Sequence, residues 1–140
     1  MKILVAADGS VYTKRMLAYL AAHDEWLGTH HQYTVLHTVH AVSGHAASVL
    51  DKNVLQEYYR DESEKVFKPI RTFFKKQGLE ATFVSKVGHA FEAIATLAQK
   101  GKYDLVVMGS HGQGSLTNLV MGSVATKVLA SCSTPVLLVR

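Results

Sequence analysis

Three glycines and a serine are the residues of this chain whose spacing points most directly to chemistry. Gly109 and Gly112 are separated by two residues, nine residues follow from Gln113 to Met121, and Gly122-Ser123 close the run. The apolar stretch Leu105 to Met108 lies just upstream. An apolar run ending in spaced glycines ahead of a helical segment presents backbone N–H groups to a phosphate. The glycines admit close approach and the helix N-terminus adds a favourable partial charge. The chemistry implied is binding of a nucleotide or another phosphorylated ligand. Glycines after a strand also mark ordinary turns, so the pattern needs support from the elements that carry it.

Those elements alternate. Lys2 to Ala7 reads as a short buried strand, and Asp8-Gly9-Ser10 turns the chain into a helix from about Thr13 to Leu27 with Met16, Leu17, Leu20 and Leu27 as its apolar stripe. Tyr33 to Val39 is β-branched and aromatic enough for a second strand. A loop with Ser43, Gly44 and His45 precedes a long helical segment from about Ser48 to Gln77, closed by Gly78. Pro69 lies inside it and predicts a kink or break near Phe67 and Lys68, through its missing N–H and its ring. Leu79 to Val87 alternates as a less buried strand does and ends at Gly88. Phe91, Ile94, Ala95 and Ala98 form a helical stripe, Lys102 to Met108 the next strand, Ser123 to about Ser131 a helix, and Val136 to Val139 the last strand. Five strands alternating with four helices specify one α/β domain over residues 1–140. Its expected form is a doubly wound, five-stranded parallel sheet of order 3-2-1-4-5 with helices on both faces. In that order strands 1 and 4 are neighbours where the winding reverses, and ligands bind beyond their carboxyl ends. Asp8 follows strand 1 and Gly109 follows strand 4, so the acidic turn and the glycine cluster converge on one crevice.

Composition narrows the class. The 140 residues, 48% of them hydrophobic, fit one domain that buries roughly two thirds of its unfolded surface without disulfides or metals. Cys132, the only cysteine, has no internal disulfide partner. The N-terminal apolar run is interrupted at Asp8, too early for a signal peptide, and no stretch approaches the roughly 18 apolar residues that cross a bilayer. The expectation is a soluble, cytoplasmic protein with no membrane contact. A net charge of +4 raises the question of nucleic acid, but the basic residues are scattered rather than gathered with aromatics. The densest group, Lys65, Lys68, Arg71, Lys75 and Lys76, is interleaved with Asp61, Glu62 and Glu64 and reads as the solvated face of a helix. No nucleic-acid partner is expected.

Among single residues, Asp8 either holds a ribose or a metal-bound phosphate or caps the first helix. His111, inside the glycine loop, either touches phosphate or is an exposed loop residue. His37 and His40 are three apart on a strand, so their side chains leave on opposite faces and do not make a pair of metal ligands. His30-His31 reads as surface loop. No metal site built from protein ligands alone is expected, and Mg²⁺ would arrive with a nucleotide. Cys132 reads as a small core residue, since no acid–base partner adjoins it in sequence.

With the residues placed, the chain resembles the universal stress protein family, in the branch that binds ATP. The family motif is Gly, two residues, Gly, nine residues, then Gly followed by Ser or Thr, and Gly109, Gly112, Gly122 and Ser123 fit it without a gap. The resemblance extends over the chain through Ala7-Asp8-Gly9-Ser10, Leu36-His37, Gly88, Asp104 to Gly109, and the closing Ser133 to Val139. It implies an adenine pocket at Ala6, Asp8, Thr38 and Met108. Gly109 and Gly112 would lie along the ribose and phosphates, and Gly122, Ser123 and Val124 would complete the phosphate cradle. The implied ligand is ATP, or AMP or ADP, with Mg²⁺ when the nucleotide carries it. Two departures stand out. Many ATP-binding relatives carry Arg after the second motif glycine and a further basic residue in the nine-residue window, whereas this chain has Gln113 and Asn118 and no Lys or Arg from Gln113 to Met121. Relatives often place Glu three residues after the motif serine. Thr126 stands there, so the reciprocal capping box is lost while Ser123 is still expected to cap.

The expected function is that of an adenine-nucleotide-binding regulatory protein of the stress response. The alternatives are a slow ATPase or self-phosphorylating enzyme, and a partner-binding module without nucleotide. No Walker lysine pattern and no base to position water are evident, so no catalytic residue is assigned. The last strand, Val136 to Val139, falls at a sheet edge with no interior proline or bulge-forming glycine, and an unprotected apolar edge calls for a partner. Pairing about a two-fold axis with a second copy, through Pro135 to Val139, gives a homodimer, which the resemblance also implies.

Overall fold

Runs such as Ile3-Leu4-Val5 and Val106-Val107-Met108, apolar at consecutive positions, are stable as strands only where both faces of a sheet are covered. The computed structural model, which describes residues 1–25, 27–114 and 118–140, places them there. The elements are β1 (Lys2–Ala6), α1 (Val11–Ala22), β2 (Gln32–Val39), α2 (Gly44–Val49), α3 (Lys52–Lys76), β3 (Ala81–Val87), α4 (Ala90–Lys100), β4 (Leu105–Gly109), α5 (Ser123–Ser131) and β5 (Val136–Val139). The sheet runs β3-β2-β1-β4-β5 with every pair parallel, as expected. Alternation along β1 divides the interior into two cores. Ile3 and Val5 join Met16, Leu17 and Leu20 of α1 and Phe67, Ile70 and Phe74 of α3 on one face. Leu4 joins Ile94 and Ala98 of α4 and Ala125 and Val128 of α5 on the other. The Ile, Leu, Val, Met and Phe side chains among them each contribute about 1.5–3 kcal/mol when fully buried. No helix among the described residues is long and apolar enough to cross a membrane.

The elements depart from expectation in four places. Helix α1 ends at Ala22, and Leu27 is buried from the following turn, in which its N–H donates to the His23 carbonyl at 3.0 Å. Residues Gly44 to Val49, expected as loop and helix start, form a separate helix α2, so five helices are present among the described residues rather than four. The reason is two successive N-caps. The Ser43 hydroxyl accepts from Ala46 N–H, and the Asp51 carboxylate accepts from Asn53 N–H at 2.7 Å, restarting the helix. Helix α3 is assigned without interruption through Pro69, so no break forms there. Pro69 and Lys65, whose carbonyl the missing N–H would have served, are both exposed, so that carbonyl is open to solvent rather than buried without a partner. Strand β4 begins at Leu105 rather than Lys102, because Lys102 sits at φ 53° in the turn that ends α4.

Candidate functional site

At the switch point Ala6 of β1 is paired with Leu36 on one side and Met108 on the other. Beyond these carboxyl ends opens a crevice of about 730 Å³, and Ala6, Asp8, Thr38, Met108, Gly109, Gly112, Gly122, Ser123 and Val124 all line it. The chain therefore brings these nine residues to one place. A smaller hollow of about 420 Å³ lies apart, between α3 and β3, and contains none of them.

Asp8 organises the floor. Its Oδ1 accepts from Ser10 N–H at 2.9 Å and from the Thr13 hydroxyl at 3.0 Å, and the Thr13 oxygen in turn accepts from the N–H groups of Asp8 and Gly9. The cap of α1 is Ser10, whose hydroxyl accepts from Tyr12 N–H at 3.2 Å, so the capping alternative for Asp8 does not hold. Its Oδ2 accepts from Gln113 N–H at 3.0 Å and ties the glycine loop to the end of β1. A carboxylate offers about four lone-pair directions, so Asp8 retains accepting capacity toward the crevice.

This tie changes the account of two glycines. A Cβ at Gly112 would stand 2.6 Å from Asp8 Oδ2, and one at Gly109 would stand 2.7 Å from Tyr12 Cβ. Both positions exclude side chains because α1 and the Asp8 turn already occupy the space, before any ligand is considered. His111 also has a structural place. Nε2 lies 2.7 Å from the Leu119 carbonyl, which can only accept, so Nε2 donates there, while Nδ1 lies 2.8 Å from the Ser110 hydroxyl. The ring rests on Tyr12 at 5.0 Å between centroids. His111 thus spans the glycine loop while also lining the crevice.

The start of α5 differs from expectation in a way that matters to anions. Gly122 is the N-cap, with no side-chain cap hydrogen bond, and Ser123 is the first helical residue rather than the cap. The N–H of Gly122 is committed to the Ser110 carbonyl at 2.7 Å, and the first N–H with an intrahelical acceptor is that of Thr126, bonded to Gly122 O at 3.1 Å. The amides of Ser123, Val124 and Ala125 therefore open from the helix end, and all three residues line the crevice. Thr126 does not replace the missing Glu. Its hydroxyl donates back to the Gly122 carbonyl at 2.9 Å.

Sequence reasoning missed the rim. Lys65, assigned to a solvated face, lines the crevice with Glu62, to which it is paired at 2.7 Å, and that hydrogen bond raises the lysine pKa above its usual value. His40, His89, Phe91 and Lys127 line it as well. The signal for Lys127 was present in its spacing, four residues after Ser123 and so one helical turn along the same face. Nδ1 of His37 donates to the Ala7 carbonyl at 2.8 Å, and the ring packs edge-on to Phe67. Among the described residues no group of three or more His, Cys, Asp or Glu is placed to hold a metal. Cys132 is half-buried at the end of α5 against the second core.

The profile of the universal stress protein family matches residues 1–140. A universal stress protein of Thermus aquaticus is 32% identical over 138 residues, covering 99% of this chain and 97% of that relative. The solved structure of protein MJ0577 of Methanocaldococcus jannaschii superposes with a TM-score of 0.78 at 26% identity, over 99% of this chain and 94% of that one. The local sequence match to that relative spans 55% of its length. The universal stress protein of Archaeoglobus fulgidus solved in complex with dAMP superposes with a TM-score of 0.70 at 20% identity, over 100% of this chain and 98% of that one. At that identity the likeness is one of fold.

Proposed function

The chain belongs to the universal stress protein family, and on that premise we propose that it binds an adenine nucleotide in the crevice between β1 and β4, as a cytoplasmic regulatory protein of the stress response. The observation that carries this reading is the uncapped start of α5. Three open amides at a helix N-terminus, on the wall of a crevice of about 730 Å³, are an unfilled demand for an anion. In this reading Ala6, Asp8, Thr38 and Met108 surround the base and ribose, Gly109 and Gly112 line the sugar and phosphates, and Gly122, Ser123 and Val124 receive the phosphates. The ligand is ATP, ADP or AMP, and Mg²⁺ comes with the nucleotide. Family proteins solved with dAMP, AMP and cAMP support the choice of an adenine nucleotide.

The test is release of small molecules from freshly purified protein on denaturation, followed by titration with adenine nucleotides. Gly122 has φ −72° and ψ 165°, a conformation open to any residue, so Gly122→Val should leave the backbone intact while its branched side chain blocks the phosphates. A folded Gly122→Val that binds as well as wild type refutes the placement.

The same reading includes a homodimer through Pro135 to Val139. The Pro135 and Val139 carbonyls accept from Val106 and Ser110 of the β4 side, which assigns the odd positions of β5 to the internal ladder. The N–H and C=O groups of Val136 and Leu138 therefore face outward from the sheet edge, where a second copy of the strand supplies matching partners. Sedimentation at micromolar concentration should show a dimer that Leu138→Pro, which removes an outward N–H, weakens. A wild-type monomer refutes the dimer.

A further inference from the structure

We infer that Lys127 is the residue by which this crevice reads the charge of a phosphate chain, so that it favours nucleotides with two or three phosphates over those with one. The inference rests on the adenine-nucleotide reading and names what that reading leaves open. Residues Gln113 to Met121, which connect the motif glycines, contain no Lys or Arg. The crevice also presents the carboxylate of Asp8, and Glu62 is paired with Lys65, so a polyanion entering it needs cationic compensation from elsewhere.

The candidates can be sorted by what already engages them. Lys65 is paired with Glu62 at 2.7 Å, so its charge is largely answered. The two ring nitrogens of His111 are held by Ser110 and Leu119, and Nδ1 of His37 lies against the Ala7 carbonyl. His40 and His89 contribute imidazole rings to the crevice lining rather than an ammonium. Lys127 makes no ion pair among the described residues; its Nζ lies 5.0 Å from the centre of the Phe91 ring, and both residues line the crevice. An aromatic face holds an ammonium in place without neutralising it. Lys127 is also one helical turn beyond Ser123, and helical side chains lean toward the N-terminus, which directs the ammonium along the wall that ends in the Ser123 and Val124 amides. The amides take one phosphate group, and Lys127 adds a permanent charge whose attraction grows with each further phosphate.

The experiment is calorimetric titration of the full chain with adenosine, AMP, ADP and ATP, for wild type, Lys127→Gln and Lys127→Arg. Wild type should bind more tightly as phosphates are added. Lys127→Gln should lose about tenfold or more for ATP while adenosine changes less than about twofold, as removal of one charge-assisted contact predicts. Lys127→Arg should keep the wild-type order. A merely structural role through Phe91 would shift all four ligands together. An unchanged ratio of ATP to adenosine affinity in Lys127→Gln therefore overturns the inference and leaves the nucleotide site standing. A wild type that binds none of the four overturns both.

Discussion

Asp8→Ala is the substitution in which stability and binding are most closely joined. The carboxylate receives three hydrogen bonds, from Ser10 N–H, the Thr13 hydroxyl and Gln113 N–H, at 2.9 to 3.0 Å. Ser10 and Thr13 are buried, at 8% and 5% exposure, whereas Gln113 is exposed and recovers water when its partner is lost. An orphaned buried donor costs about 1–3 kcal/mol and a solvated one far less. Part of the loss at Ser10 and Thr13 is relieved by water entering from the crevice, which places the whole effect at about 2–4 kcal/mol. For a domain of this size that corresponds to a fall in Tm of about 6–12 °C. The measurement is thermal unfolding of ligand-free protein, because bound nucleotide adds its own stabilisation. Asp8→Asn separates the two roles: Oδ1 can still serve Ser10 and Thr13, while an amide NH₂ facing Gln113 N–H sets donor against donor. It should therefore lose about 1 kcal/mol of stability and still release the glycine loop. An Asp8→Ala protein melting within about 2 °C of wild type would refute the idea that this carboxylate stabilises the turn into α1.

Two further outcomes follow from the geometry. Gly109→Ala should destabilise by about 1–3 kcal/mol, because its Cβ would meet Tyr12 Cβ at 2.7 Å; Gly44→Ala, in α2 with nothing within 4 Å, should be neutral or stabilise by up to about 1 kcal/mol, and equal effects in chemical denaturation would contradict this account. Tyr33 donates to the Leu27 carbonyl and to the Gly28 carbonyl at 3.0 Å, and burial raises its pKa above the ordinary value of about 10. The native state thus holds this proton more tightly than the unfolded chain. Its contribution is complete below pH about 10 and is lost as pH rises from there through the folded pKa. Tyr33→Phe should cost about 1–2 kcal/mol at neutral pH and flatten the alkaline decline in stability, and parallel pH curves for the two proteins would count against it.

The sheet was legible because its signal is redundant. β1 and β4 are apolar at consecutive positions, which only a sheet covered on both faces accommodates, and that covering also fixes where their ends meet. What escaped depends on contacts between distant segments. Ser43 and Asp51 both had the chemistry of N-caps, but a helix that stops at Leu50 and restarts at Lys52 leaves the apolar period almost unbroken. Leu27 fitted the stripe of α1 and is buried as the stripe predicts, yet it reaches the core from a turn. In the site, Asp8 and Gln113 lie 105 positions apart, and nothing local in either announces their bond. Lys65 is exposed as its helical face predicts, but helical period alone does not say that α3 borders the crevice mouth.

The motif glycines do not all carry the same information about a ligand. Gly109 is kept from having a side chain by the Cβ of Tyr12, and a side chain at Gly112 would displace the Asp8 carboxylate from the loop, so packing constrains both positions whether or not anything binds. The Gly122 amide is likewise spent on the Ser110 carbonyl. What no part of the described fold explains is the next step, where three amides open from an uncapped helix end that a Ser, Asp or Asn at position 122 would have closed on itself. A loop that only needed to turn would gain a few tenths of a kcal/mol over glycine from such a cap. Glycine at that position forgoes a side-chain cap and leaves the first-turn amides of α5 open on the crevice wall, where the helix dipole is favourable to negative charge.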